Sequence, residues 1–447
     1  MKGFVRGMTV AVAVQLMARA IASADVVFDW NGIALDTVGT QNAFAQARFA
    51  AITQLAVFEA VDAITGDYNP YLGTITAPVG ASAEAAAAAA AHGVLKSYFP
   101  GNASILDAAR VSSLAAIPDG PAKDDGIAVG EAAAAAMIAD RASDGSSPPQ
   151  FYAPASANPG EWQATPGCPS AGGVLLQWRD VKPFGILSSD QFRSDPPPSL
   201  ASNIYAEDYD EVKKVGELNS TDRPSDRANV ARYFGIVSAA NAWNQAAREV
   251  SAAQGNSLSE NARAFALLNM AASDGLVSSI ETKYHYVFWR PITAIRAGDT
   301  DGNRKTAPDP AWAPFITTPC FPSYPSAHTS ASYAARKIAE NIFGRGRHDI
   351  TLSHPGIPDV TLHYRKFRRS PTTSTMRACT AESTSASIRR RVHARDAASA
   401  RTSSRTISGA VATTDDAAKT TNRMLTPATG CTDDDPRKER PTGGVFV

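Results

Sequence analysis

Apolar residues recur at helical spacing through most of the first 343 positions. From Asn42 to Ile64, the residues Phe44, Ala47, Ile52, Leu55, Ala56, Phe58 and Val61 mostly fall three or four apart, the period of a helix with one buried face. Ala83 to Tyr98 is an Ala-rich helix with Ser82 as N-cap and Pro100-Gly101 as its stop. Asp124 to Ala142 reads the same way after the turn residues Pro118-Asp119-Gly120-Pro121. Such Ala stripes predict close helix packing, and Glu59 and His92, which lie on these helices, are read as incidental to chemistry. Between Gly145 and Leu200 the periodicity gives way to Pro, Gly and Trp, ending in Pro196-Pro197-Pro198. A connection this long in a compact chain is functional or draped over the surface. Helical periodicity returns over Asn203 to Leu218, Asp226 to Gln254 and Ser257 to about Trp289, the last with a capping box of Ser257 and Glu260. A further helix is expected from Ser326 to about Phe343. Nothing alternates with period two, so the fold class is all-α, a helical bundle.

Composition narrows the possibilities without naming one. The 447 residues are 44% hydrophobic and 19% charged with a formal net charge of zero, which argues against a general nucleic-acid or anionic-membrane binder. The organisation reads as a leader at residues 1–24, a helical region with the long Pro/Gly loop at 25–200, a second helical region at 201–366 and a tail at 367–447. Lys2 and Arg6, the apolar run Met8 to Met17 and Ala22-Ser23-Ala24 have the order of a secretory signal cut after Ala24, so a secreted or periplasmic protein is expected. No stretch is apolar for long enough to be a stable membrane span. The four cysteines Cys168, Cys320, Cys379 and Cys431 show no metal-binding spacing. Cys168 and Cys320, each in a Pro-rich loop, are a candidate disulfide in an exported protein, and the sequence does not decide it.

Candidate chemistry concentrates between Lys283 and His328. Lys283 and Arg290 are seven apart, so on a continuous helix they share one face two turns apart, with Pro291 ending or kinking it. Ser326 follows Pro325 at an expected helix start, where a hydroxyl and backbone N–H groups seat an anion. Lys-x6-Arg-Pro followed by Pro-Ser-x-His resembles the first two motifs of the vanadium-dependent haloperoxidase and type 2 phosphatidic acid phosphatase superfamily. The string Lys283 to Arg296 is most similar to the soluble bacterial haloperoxidase-like branch. Ala327 stands where that family usually has Gly, which leaves the backbone N–H in place.

The resemblance implies a helical bundle of the vanadium haloperoxidase and acid phosphatase type that binds vanadate, or phosphate as a substrate. It implies that Lys283, Arg290, Ser326 and Ala327 hold the oxyanion and that Lys283 and His328 are catalytic, Lys283 by polarising bound peroxide and His328 as the acid–base group. The implied partners are peroxide and halide, with an oligomer possible, and the implied reaction is peroxide-dependent halide oxidation. Hydrolysis of phosphate monoesters at the same site is the alternative, and a non-catalytic helical binding protein is a third reading. Phe321 falls where some chloride-oxidising relatives carry an aromatic residue. The resemblance also places the 145–200 loop near the active-site mouth.

After Phe367 the chain becomes rich in Ser, Thr, Arg and Ala, with no aromatic residue until Phe446. Read blandly, this is a basic segment with too little apolar surface to order itself. A shifted reading frame over Thr375 to Ile388 permits Asp-Ala-Arg-Leu-Tyr-Gly-Gly-Ile-His-Phe-Arg-Phe-Asp, similar to the family's third motif, which supplies a second Arg and the histidine that binds vanadate axially or attacks phosphorus. A frameshift near Tyr364 to Ser370 is therefore expected, and the axial histidine is absent from this chain. Arg389, Arg390, Arg391 and His393 have the wrong spacing to replace it.

Overall fold

The computed structural model describes residues 25–369. The leader at 1–24, the tail from Ser370 onward and the expectations attached to them lie outside those residues. Within them the protein is almost entirely helical. The order is α1 (Val26–Val38), α2 (Ala43–Thr65), α3 (Ala83–Tyr98), α4 (Ala103–Ala115) and α5 (Pro121–Arg141), then α6 (Asn203–Val215), α7 (Ser225–Phe234), α8 (Ala239–Gln254), α9 (Leu258–Tyr286), α10 (Pro291–Arg296) and α11 (Ala327–Ile342). One short antiparallel pair, β1 (Ile350–Leu352) and β2 (Leu362–Tyr364), was not foreseen. Three residues per strand are too few to show an alternating pattern in the sequence.

The α9 helix is the axis of the molecule, with α2 and α11 packed along it. It starts at the expected capping box, the Ser257 hydroxyl accepting from the Glu260 N–H and the Glu260 carboxylate from the Ser257 N–H. Small residues let its neighbours come close: a Cβ added to Gly275 would sit 2.9 Å from the Ser330 carbonyl of α11. The α3–α5 contact is tighter still, since a Cβ at Gly126 or Gly130 would fall 2.3 Å from the Ser82 or Ala86 carbonyl oxygen. The Ala stripes are thus packing surfaces, as expected. One apolar core draws on both the 25–200 and 201–366 segments, from Trp30 and Phe58 to Trp243, Phe265 and Phe367. Inside it, Asn244 exchanges amide hydrogen bonds with Asn269 and accepts from Asn31, tying α1, α8 and α9 together.

Two expected helices are cut differently. Asp226 to Gln254 is two helices, because the chain leaves α7 at Gly235 and is capped again by Ser238, whose hydroxyl accepts from the Asn241 N–H. The helix expected to run to about Trp289 stops at Tyr286, where Val287 takes a left-handed conformation at φ 51°. Phe288 then pairs with Glu161 in an isolated bridge. Hence Lys283 and Arg290 do not share a helical face: Lys283 lies in the last turn of α9 and Arg290 is the residue before α10.

The long loop is held by buried polar contacts. Asp274 of α9 accepts 2.7 Å hydrogen bonds from the Phe184 and Gly185 N–H groups. The Arg48–Asp144 ion pair, 2.6 Å and buried, anchors the loop start. The Arg193 guanidinium grips Glu281, and the Tyr286 and Tyr324 hydroxyls donate to the Ser194 and Asp195 carbonyls. A disulfide joins Cys168 to Cys320, resolving the pairing the sequence left open.

Candidate active site

The last turn of α9, the extended residues before α10 and the loop ahead of α11 meet around one cavity of about 210 Å³. Lys283, Arg290, Ser326, Ala327 and His328 all line it. Liquid water occupies about 30 Å³ per molecule, so a small tetrahedral ion fits with a second small reactant beside it.

The two cations are oriented by the same short run of backbone. Lys283, 2% exposed, donates through Nζ to the Pro322 and Ser323 carbonyls at 2.9 and 2.8 Å. Arg290, also 2% exposed, donates through Nε to the Phe321 carbonyl at 2.6 Å. The Phe321 ring lies against both, 5.3 Å from Lys283 Nζ and 4.8 Å from the Arg290 guanidinium carbon, so its electron-rich face adds a weaker attraction. The run is itself tied down: the Ser323 N–H donates to Phe288, and the Cys320 carbonyl accepts from Val174.

Ser326 is the N-cap of α11, its hydroxyl oxygen accepting from the Thr329 N–H and hydroxyl. Ala327 and His328 form the first turn, where backbone N–H groups lack partners further back in the helix. A second helix start borders the same cavity, since Asn42, Ala43 and Phe44 at the head of α2 line it as well. Both helix dipoles therefore place their positive ends there.

His328 is the titratable group of the cavity. Burial lowers its pKa to about 4, the positive charge of Lys283 adds to the fall, and a hydrogen bond with the Phe234 backbone opposes it. The imidazole is thus neutral at neutral pH. A bound anion supplies the charge that would let it take a proton. Its ring packs edge-on against Phe234 with centroids 6.3 Å apart.

All five residues singled out in the sequence come together, although Lys283 and Arg290 arrive from different elements. Other histidines lie elsewhere: His92, set aside in the sequence, bonds Asp107, His285 is exposed beside Tyr286, and His363 bonds Thr351 in the β pair. Glu59 accepts the Tyr71 and Gly73 N–H groups, a structural task. Sequence reasoning missed Asn42, Phe44, Leu175, Ala239, Leu276 and Pro319 as lining residues. The N-cap position of Asn42 was legible, but not what it faces. Among the described residues no cluster of three or more His, Cys, Asp or Glu side chains could hold a metal ion. No described helix is long and apolar enough to cross a membrane.

The helical bundle thus brings two buried cations, a helix start and a neutral histidine to one cavity. Comparison with known proteins is more specific. Residues 263–422 match the VCPO second helical-bundle domain. Vanadium chloroperoxidase of Curvularia inaequalis is 29% identical over 187 residues, which span 35% of this chain and only 30% of that protein. The structure resembles a bacterial vanadium-dependent iodoperoxidase with a TM-score of 0.72 at 19% identity, covering 86% of this chain and 98% of the other. An apo-type bacterial vanadium-dependent chloroperoxidase matches with a TM-score of 0.66 at 18% identity, covering 83% and 96%. The chain therefore has the fold of the vanadium-dependent haloperoxidases and carries their second helical-bundle domain.

Proposed function

We propose that the cavity is a vanadate site of the haloperoxidase type, and that this chain holds the oxyanion but turns over poorly because the third motif is missing. The observation that carries the reading is the convergence of Lys283, Arg290, Ser326, Ala327 and His328 on one 210 Å³ cavity. The donor set suits a tetrahedral oxyanion: an ammonium, a guanidinium, a hydroxyl and helix-start N–H groups give only donors and positive potential. Lys283 and Arg290 would hold oxygens of the anion in charge-assisted hydrogen bonds, each worth about 1.5–3 kcal/mol. Ser326 and the Ala327 N–H complete the cradle, preorganised by the cap of α11. When bound, vanadate supplies the Lewis acid that activates hydrogen peroxide toward halide. Lys283 would stabilise negative charge on the oxygens of the bound group, and the His328 imidazole, neutral at rest, would take up a proton from peroxide in the cavity and give it back as acid.

Among the residues lining the cavity His328 is the one histidine. The packed chain runs to Phe367, which is buried against Trp243 and Phe343, just before the change in composition. We attribute that change to a frameshift and the leader to an export signal. The test compares the chain as written with one in which the alternative frame is restored after codon 367, assaying bromination of a phenol dye with vanadate and peroxide alongside hydrolysis of an aryl phosphate. The reading expects phosphate binding by both chains and halide oxidation by the restored one. Aryl phosphate hydrolysis without halide oxidation would assign the site to the phosphatase reaction, and no anion binding by either would leave a helical binding protein.

A further inference from the structure

The two cysteines of the disulfide are 152 positions apart in sequence, and one of them is the first residue of the run that orients both cations. Cys320 is followed by Phe321, whose carbonyl holds Arg290, and by Pro322 and Ser323, whose carbonyls hold Lys283. The Cys320 carbonyl accepts from Val174, next to the cavity residue Leu175, and the Tyr284 hydroxyl, one residue beyond Lys283, donates to the Val174 carbonyl. Cys168, Val174 and Cys320 thus form a bracket that locks the long loop to the cation-orienting run. Both cysteines are half-buried, within reach of a small reductant.

We propose that the Cys168–Cys320 disulfide is a positioning element of the oxyanion site and that its redox state sets the site's affinity. This rests on the reading of the cavity as an anion seat. Reduction by a dithiol adds two electrons and two protons, breaks the S–S bond, leaves two protein thiols and converts the reductant to its cyclic disulfide. The run 320–323 then loses its covalent hold on the loop, and the carbonyls that aim Arg290 and Lys283 gain freedom. Pairing also leaves no thiolate at Cys320, one residue from a site that the proposed reaction would fill with oxidant.

The test uses the full chain and inorganic phosphate as probe, titrated calorimetrically before reduction with dithiothreitol, after reduction and removal of the reductant under argon, and after reoxidation. Reduction is expected to weaken phosphate binding about tenfold, a fraction of one charge-assisted contact, with the helical circular dichroism unchanged and the affinity restored on reoxidation. The Cys168→Ser/Cys320→Ser variant should bind like the reduced chain and ignore reductant. In an Arg290→Ala background, the loss on reduction should shrink to about threefold, because one of the two groups being aimed is gone and only Lys283 remains. Equal affinity in the two redox states overturns the proposal, as does a tenfold loss that persists without Arg290, which would make the disulfide a general brace. No binding by the oxidised chain is a different result: it overturns the anion seat on which the proposal stands.

Discussion

The α3–α5 contact and the candidate site are both held in place by specific residues, but by opposite means. Between α3 and α5 the chain uses its smallest residues: Gly126 and Gly130 lie against α3 carbonyls, and Ala85 to Ala91 are buried throughout. What holds there is close-packed dispersion and excluded water, spread over many weak contacts. At the site the chain buries Lys283 and Arg290 and half-buries His328, groups costly to desolvate, and orients the two cations with the backbone carbonyls of residues 321–323. Packing tolerates a change of residue only if volume is kept. The site tolerates one only if charge and direction are kept.

The comparison breaks most visibly at Gly130. Gly130→Val places carbon atoms where the Ala86 carbonyl stands, so thermal unfolding should show a loss of about 3 kcal/mol or more, while the folded fraction keeps its phosphate affinity. Lys283→Met should do the reverse in binding, keeping roughly the volume but removing the charge. Phosphate affinity should fall by about 10- to 100-fold in calorimetry, the size of one charge-assisted contact. A smaller effect should appear in the pH dependence of stability. Folded His328 has its pKa lowered to about 4 from 6.5, so below 6.5 the unfolded chain takes up the proton first. Stability should fall as pH drops from about 6.5 to about 4, with no further contribution below. Raised carboxylates such as Glu59 act in the opposite sense, so the readout is the difference between the parent and His328→Gln in chemical denaturation at several pH values. Ser326→Ala removes the α11 cap and should cost about 1 kcal/mol of stability by the same denaturation series.

The packing half of this comparison was largely legible in the sequence. Helical spacing located α2, α3 and α5, and the Ser257–Glu260 box placed the start of α9. Its end was not legible, because Val287 in a left-handed turn violates what a β-branched residue prefers, and only the bridge from Phe288 to Glu161 accounts for it. The break at Gly235 was hidden because the apolar period continues on both sides of it. At the site, residue types and spacing identified the donors, but not that Arg290 approaches from outside the helix, nor that the head of α2 closes the cavity. Long-range contacts of that kind leave no periodic trace. The same holds for the Cys168–Cys320 bond, where spacing allowed the pair and only the fold decided it.

The most direct test of the convergence is to crystallise the chain, soak in tungstate as a heavy tetrahedral oxyanion and locate it by anomalous scattering. The account predicts one strong peak within hydrogen-bonding distance of Lys283, Arg290 and the first turn of α11, lost in Lys283→Met/Arg290→Ala crystals. Peaks confined to the surface, or a cavity peak that survives that double substitution, would contradict it.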